Sequence, residues 1–297
     1  MSERCQVSIH HAELTHARLR YASCGSGPPL IVVPATISLI EDWTPLLQFL
    51  GQRYTTYFFE MPGHGGSTPL AGGFTSARLA EVIGELADHI GAERFALLGF
   101  SFGGILTLRA LQALGYRVVK VGLLSPCVSN RALKRPRIDR ALIRMMIAGL
   151  RHRVPRRAMA WVLNNRVTVG TIVWFMLNVG GFESPTDIKA RLMSYSASTI
   201  EVLAAQVREI LTVTEEDLAG PYEQPCFFGM SVDDPLLDYG RTQRFVRENF
   251  ADLITEEWDW PYHAPPEPLT YEDYIRDFGA LLEADGARVS PQHSRGI

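Results

Sequence analysis

Between Leu30 and Ser125 the chain alternates apolar runs short enough for strands with longer segments whose apolar residues recur every three or four positions. Leu30-Ile-Val-Val-Pro34, Tyr54–Glu60, Phe95–Phe100 and Val118–Ser125 are continuous apolar runs, which suits strands covered on both faces. The intervening segments have helical period. Asp42–Leu50 is short, and Ser76–Ile90 sets Leu79, Val82, Ile83, Leu86 and Ile90 on one face behind Ser76 as cap. Phe102–Leu114 reads as an apolar helix. Strand, helix, strand, helix in this order predicts an α/β fold: a doubly wound, mostly parallel sheet with helices on both faces. A hairpin of two strands, around Gln6–His10 and Ala17–Ser23, is expected to open it.

After Pro126 the alternation stops. Asn130 to Tyr222 reads as helices alone, and the strand pattern resumes at Pro225–Met230. A helix at Tyr239–Phe250, a strand at Leu253–Trp258 and a closing helix at Tyr271–Ala284 follow. This predicts a core from residues 1–129 and 223–284, a helical insertion at 130–222 seated on it as a cap, and a flexible polar tail at 285–297. With 297 residues, 46% of them hydrophobic, the chain can bury a large core. A net charge of −3 argues against a nucleic-acid binder. No basic start leads into an apolar stretch, and the longest apolar run, Val167–Val179, is too short to span a bilayer. Cys5, Cys24, Cys127 and Cys226 lack metal-ligand spacing, so free thiols, a cytoplasmic address and no metal or cofactor are expected.

The chemistry centres on Gly99-Phe-Ser101-Phe-Gly103, which follows one apolar strand and opens a helix. A serine on so sharp a turn needs small neighbours two residues away on each side, and the glycines supply them. Ser101 would stand at a helix start, where the N–H of Phe102 points toward a developing oxyanion. A serine hydroxyl is a poor nucleophile unless a base, oriented by a carboxylate, takes its proton. Of the eight histidines, His263 alone occupies a loop between the final strand and the final helix. For the carboxylate, Ser231-Val-Asp-Asp-Pro235 follows the strand ending at Met230; Asp234 is preferred over Asp233, with Asp238 third.

Together these residues resemble the α/β-hydrolase fold with a helical cap, over roughly Gln6 to Ala284. The family's P-G-x-G-x-S turn matches Pro62-Gly-His-Gly-Gly-Ser67, its nucleophile elbow matches Gly99–Gly103, and its histidine loop matches Tyr262-His263 ahead of Pro266-Glu-Pro268. The resemblance implies a serine hydrolase with the triad Ser101, Asp234 and His263. One motif departs. Alignment through Trp43 puts Pro34-Ala35 where the family carries His-Gly, and Thr36 inherits the second oxyanion donor beside Phe102. Glu60 stands for the usual Asp before the turn and reads as a loop-holding group.

Residues 131–166 hold eleven Arg or Lys and a single acid, Asp139. Ile138, Leu142, Met145, Met146 and Gly149 share one helical face expected to turn inward, with Arg137, Arg140, Arg144 and Arg151 facing away. The basic stretch suits either a solvated face or a docking surface for an anionic carrier, a CoA ester or an acidic membrane. Phe100, Trp161, Trp174 and Phe175 are candidates for an apolar substrate pocket over Ser101. The expected activity is cleavage of a carboxylic ester through an acyl-enzyme. The alternatives are a thioesterase or acyltransferase acting on CoA- or carrier-linked acyl groups, and a weakly catalytic ligand-binding member of the fold. An epoxide hydrolase or dehalogenase would need an acid at position 101.

Overall fold

Period two in the strands decides the architecture. In the computed structural model, which describes residues 4–36, 38–134, 137–171, 192–265 and 268–283, successive strand residues feed two different cores. Ile31 and Val33 point to one side with Leu97, Val121 and Phe228, while Leu30 and Val32 point to the other with Ala96, Leu98 and Phe227. Both faces are therefore covered, as the continuous apolar runs require.

The strands are β1 (Ser8–Glu13), β2 (Arg18–Cys24), β3 (Pro29–Val33), β4 (Thr55–Phe59), β5 (Phe95–Phe100), β6 (Val118–Leu124), β7 (Cys226–Ser231) and β8 (Leu253–Trp258). They form one sheet in the order β1-β2-β4-β3-β5-β6-β7-β8. β1 with β2 and β2 with β4 are antiparallel; the other pairs are parallel. Helices α1 (Ile40–Leu50), α2 (Ser76–His89) and α3 (Phe102–Leu114) connect the first strands. Helices α4 (Arg137–Gly149), α5 (Arg153–Asn164) and α6 (Ala197–Thr212) lie between β6 and β7, a segment with no strand among its described residues. Helix α7 (Tyr239–Asn249) joins β7 to β8, and α8 (Tyr271–Asp277) and α9 (Gly279–Glu283) follow. α2, α3 and α7 bury their apolar sides in one core, α1, α8 and α9 in the other.

Local chemistry moves several boundaries. β1 starts at Ser8 and runs to Glu13 because its register carries Glu13 opposite Arg18, closing the hairpin with Leu14 N–H on Ala17 O. Thr75, not Ser76, caps α2 by accepting from Arg78 N–H; the Ser76 N–H goes instead to the Glu209 carboxylate on α6. The closing helix breaks at Phe278, which leaves helical geometry before Gly279. The tail at 285–297 lies outside the described residues.

Two expectations are overturned. Cys5 and Cys24 are joined in a disulfide, with Cα atoms 5.8 Å apart, while Cys127 and Cys226 are free and buried. The N-terminal segment runs beside the end of β2, a proximity that spacing along the chain could not reveal. Disulfides persist in oxidising compartments, so these cysteines do not speak for a cytoplasmic address. On α4 the faces are reversed: Ile147 is buried against Ala204 and Leu211 of α6, flanked by Ile143 and Leu150, while Leu142, Met145 and Met146 are exposed. Arg140 and Arg144 turn back onto the body, donating to the carbonyls of Asn130 and Leu211. No helix among the described residues is long and apolar enough to cross a membrane.

Candidate active site

β5 must turn into α3 within one residue, and that residue is Ser101. Its φ of 54° and ψ of −117° lie outside ordinary L-residue space, a strain of order 1–3 kcal/mol. Bare neighbours make the turn possible. A Cβ on Gly99 would run into the Gly103 carbonyl and the Thr107 hydroxyl, and one on Gly103 would sit 2.8 Å from the Val33 carbonyl oxygen. Three main-chain bonds then hold the strained residue. Ser101 N–H donates to Leu124 O at 3.1 Å, and its carbonyl accepts from Gly104 N–H and Cys127 N–H, each at 2.9 Å.

Asp234 follows β7 and is completely buried. Its Oδ1 accepts from the N–H groups of Leu236 and Leu237 at 2.8 and 2.9 Å, a turn that Asp before Pro235 is built to make. Its Oδ2 lies 2.6 Å from His263 Nδ1. Lys134 donates to the Asp234 main-chain carbonyl at 2.6 Å, tying the turn to the segment ahead of α4. Burial alone would push this carboxyl up. The hydrogen bond and charge of His263, with the Leu237 and Leu236 N–H groups, outweigh burial and hold it below the usual aspartate value. Asp233 is exposed, and Asp238 caps α7 by accepting from Arg241 N–H at 2.8 Å.

His263 arrives from the loop after β8, and aromatic packing fixes that loop. Trp258 stacks on Trp260 with centroids 4.5 Å apart, Trp260 stacks on Tyr262, and the Ser231 hydroxyl donates to Trp260 O at 2.6 Å. The imidazole stacks on Phe100 at 5.4 Å, and Phe100 in turn leans on Trp43. Phe100 therefore reaches the site as a platform under the ring. His263 Nε2 lies 2.7 Å from Ser101 Oγ. An ionised carboxylate can only accept, so Nδ1 carries the ring proton and Nε2 offers its lone pair to the serine hydroxyl. The arrangement can take a proton from Ser101 and stabilise the resulting imidazolium against a buried anion.

Phe102 and Thr36 are the two expected oxyanion donors. Phe102 is the first residue of α3, where a helix N–H has no intrahelical acceptor. Thr36 lies in the segment leaving β3, whose Val33 and Pro34 carbonyls border Gly103. Trp161 lies on α5 and is 66% exposed; α5 packs on α6. Trp174 and Phe175 lie outside the described residues. A cavity of about 400 Å³ opens between the 69–74 loop, Leu150 and α6, but neither Ser101 nor His263 lines it. Among the described residues no group of three or more His, Cys, Asp or Glu converges as a metal site requires.

The Pro62–Ser67 turn supplies groups that sequence reasoning missed. Glu60 does hold it, with Oε2 accepting from Gly66 N–H at 2.6 Å and Oε1 meeting the Arg20 guanidinium. Beyond that, Gly63 packs on Val202 of α6, and His64 Nε2 lies 3.5 Å from Gln206 Nε2 with both side chains buried. Burial drives His64 down to about 4. The signal was present in the sequence as a polar Gln206 at a helix position otherwise facing inward.

A sequence model of the alpha/beta hydrolase family matches residues 30–251. The chain is 29% identical over 125 residues to the dihydrolipoyllysine-residue acetyltransferase component of an acetoin cleaving system from Cupriavidus necator, spanning 42% of this chain and 33% of that one. It is 25% identical over 99 residues to a soluble epoxide hydrolase from Corynebacterium sp., covering 33% of this chain and 35% of that one. With a pimeloyl-[acyl-carrier protein] methyl ester esterase from Nitrosomonas europaea it shares 29% over 119 residues, or 39% and 45% of the two chains. The matched segments thus span between a third and a half of these relatives' lengths. Among solved structures, a hydrolase from Pseudomonas aeruginosa superposes with a TM-score of 0.65 over 94% of this chain and 99% of that one, at 21% identity.

Proposed function

From the premise that this chain belongs to the alpha/beta hydrolase family, we propose that it hydrolyses carboxylic esters through Ser101, His263 and Asp234. The observation that carries the reading is the unbroken hydrogen-bond chain from Ser101 Oγ through His263 to Asp234 Oδ2. Epoxide hydrolases are among the matched relatives. A hydroxyl at position 101 instead of an acid favours attack on an acyl carbon.

In the proposed cycle Ser101 Oγ attacks the ester carbonyl while its proton passes to His263 Nε2. The tetrahedral oxyanion takes hydrogen bonds from the N–H groups of Phe102 and Thr36. Imidazolium protonates the departing alcohol as the C–O bond breaks, leaving an acyl group on Ser101. Water, deprotonated by the same nitrogen, attacks the acyl carbon; the carboxylic acid leaves and the proton returns to Ser101. Asp234 remains ionised throughout and holds the imidazole in the one tautomer that can accept from the serine.

Labelling with a serine-directed fluorophosphonate, followed by intact-mass measurement and peptide mapping, tests the assignment. One adduct on the Ser101 peptide is expected, together with a loss of about 10⁴-fold or more in kcat for Ser101→Ala on an aryl ester. A label elsewhere, or undiminished turnover by Ser101→Ala, would refute it.

A further inference from the structure

Among the described residues, half of the large hydrophobic side chains left exposed fall on one short stretch: Leu142, Met145, Met146, Val154, Trp161 and Val167. They are 54–78% exposed. On α4 the outward stripe of Leu142, Met145 and Met146 is widened by exposed Ala141 and Ala148. Arg140 and Arg144, which could have screened it, are turned onto main-chain carbonyls. On α5, Val154, Ala158 and Trp161 follow one another at helical spacing and are all exposed, bordered by Arg153 and Arg157 one turn apart. Exposed apolar stripes on two successive helices of a folded chain mark a contact site.

The charges beside it say what the contact is. Residues 131–166 carry a surplus of ten positive charges in a chain whose net charge is −3. Arg131, Arg140, Arg144 and Arg156 are engaged with groups of the protein itself. Arg151, Arg153, Arg157 and Arg166 are exposed and make no hydrogen bond or ion pair among the described residues. We propose that the α4–α5 face docks on an anionic lipid bilayer, with the apolar stripes entering the headgroup boundary and the four free guanidinium groups on lipid phosphates. Apolar stripes with tryptophan, edged by arginine, are what an in-plane helix needs at such a boundary. A second copy of the chain is a poorer occupant, since a two-fold contact would set the same unpaired arginines against one another. The docking stands independently of the catalytic reading, because it is measured without turnover.

Flotation of the full chain with phosphatidylcholine vesicles, with and without phosphatidylglycerol, tests this. The protein should float with the phosphatidylglycerol vesicles and be released by salt. Leu142→Ser/Met145→Ser/Met146→Ser should abolish flotation. Arg153→Gln/Arg157→Gln should lower the partition coefficient about fivefold for each arginine removed. An unchanged Tm for the Arg pair separates docking from folding should the serine variant fail to fold. Flotation independent of phosphatidylglycerol, none at all, or variants floating like the parent chain would overturn the proposal. So would a dimer in solution that the serine substitutions convert to monomer, since the face would then belong to a second copy.

Discussion

Acid should weaken this fold through His64 well before its carboxylates matter. The imidazole is 3% exposed, between the Pro62–Ser67 turn and α6, and burial lowers its value from 6.5 to about 4. Because the folded value is depressed, the unfolded chain binds the proton first as pH falls. His64 therefore costs nothing above pH 6.5, and stability is lost progressively between 6.5 and 4. A gap of roughly 2.5 pH units, at about 1.4 kcal/mol each, gives a loss of about 3 kcal/mol across that window. That is a large share of the ~5–15 kcal/mol by which domains are stable. Urea unfolding of the parent chain and His64→Asn at pH 7, 6, 5 and 4.5 measures it. The variant keeps a polar group facing Gln206 without a titrating ring, so its curve should be flatter by most of that amount. Asp234 does not confuse the comparison: its folded value lies below the ordinary 3.8, so its contribution persists above that and falls away only at lower pH. Parallel pH curves for the two proteins would refute the reasoning.

Two further substitutions probe the site itself. Asp234→Asn keeps an oxygen for the Leu236 and Leu237 N–H groups but presents an amide donor to His263 Nδ1, which moves the ring proton to Nε2. The serine then has no acceptor, and kcat should fall about 10⁴-fold with the fold intact by circular dichroism; a loss under tenfold would remove Asp234 from the mechanism. Gly103→Ala puts a methyl 2.8 Å from the Val33 carbonyl and 3.2 Å from that of Pro34, both backbone, so the strand end leading to Thr36 must move. It should lower stability by about 1–3 kcal/mol in urea and reduce kcat more than it raises KM; unchanged turnover would show that this loop does not serve the oxyanion.

How far the sequence could be read tracks how many choices physics left open. β3, β5, β6 and β7 are legible because a continuous apolar run between breakers has few places to go other than a sheet interior. The convergence of Ser101 and His263 was legible for the same reason: each sits just beyond a strand end on one edge of a parallel sheet. Helix α4 was not, because it offers two apolar stripes, 142/145/146 and 143/147/150, and periodicity cannot rank them. With the second stripe facing α6, Arg140 and Arg144 reach the Asn130 and Leu211 carbonyls and add to its favour. A hydrogen bond from a charged donor contributes about 1.5–3 kcal/mol, comparable to burying one more leucine, so two such bonds weigh on which stripe turns inward. The same logic applies to Cys5 and Cys24, whose pairing depends on where an N-terminal segment lies beside β2 and not on any local pattern. In both cases the deciding partner is a group far along the chain that leaves no periodic mark, and in α4 it leaves the molecule with a hydrophobic surface that folding alone does not require.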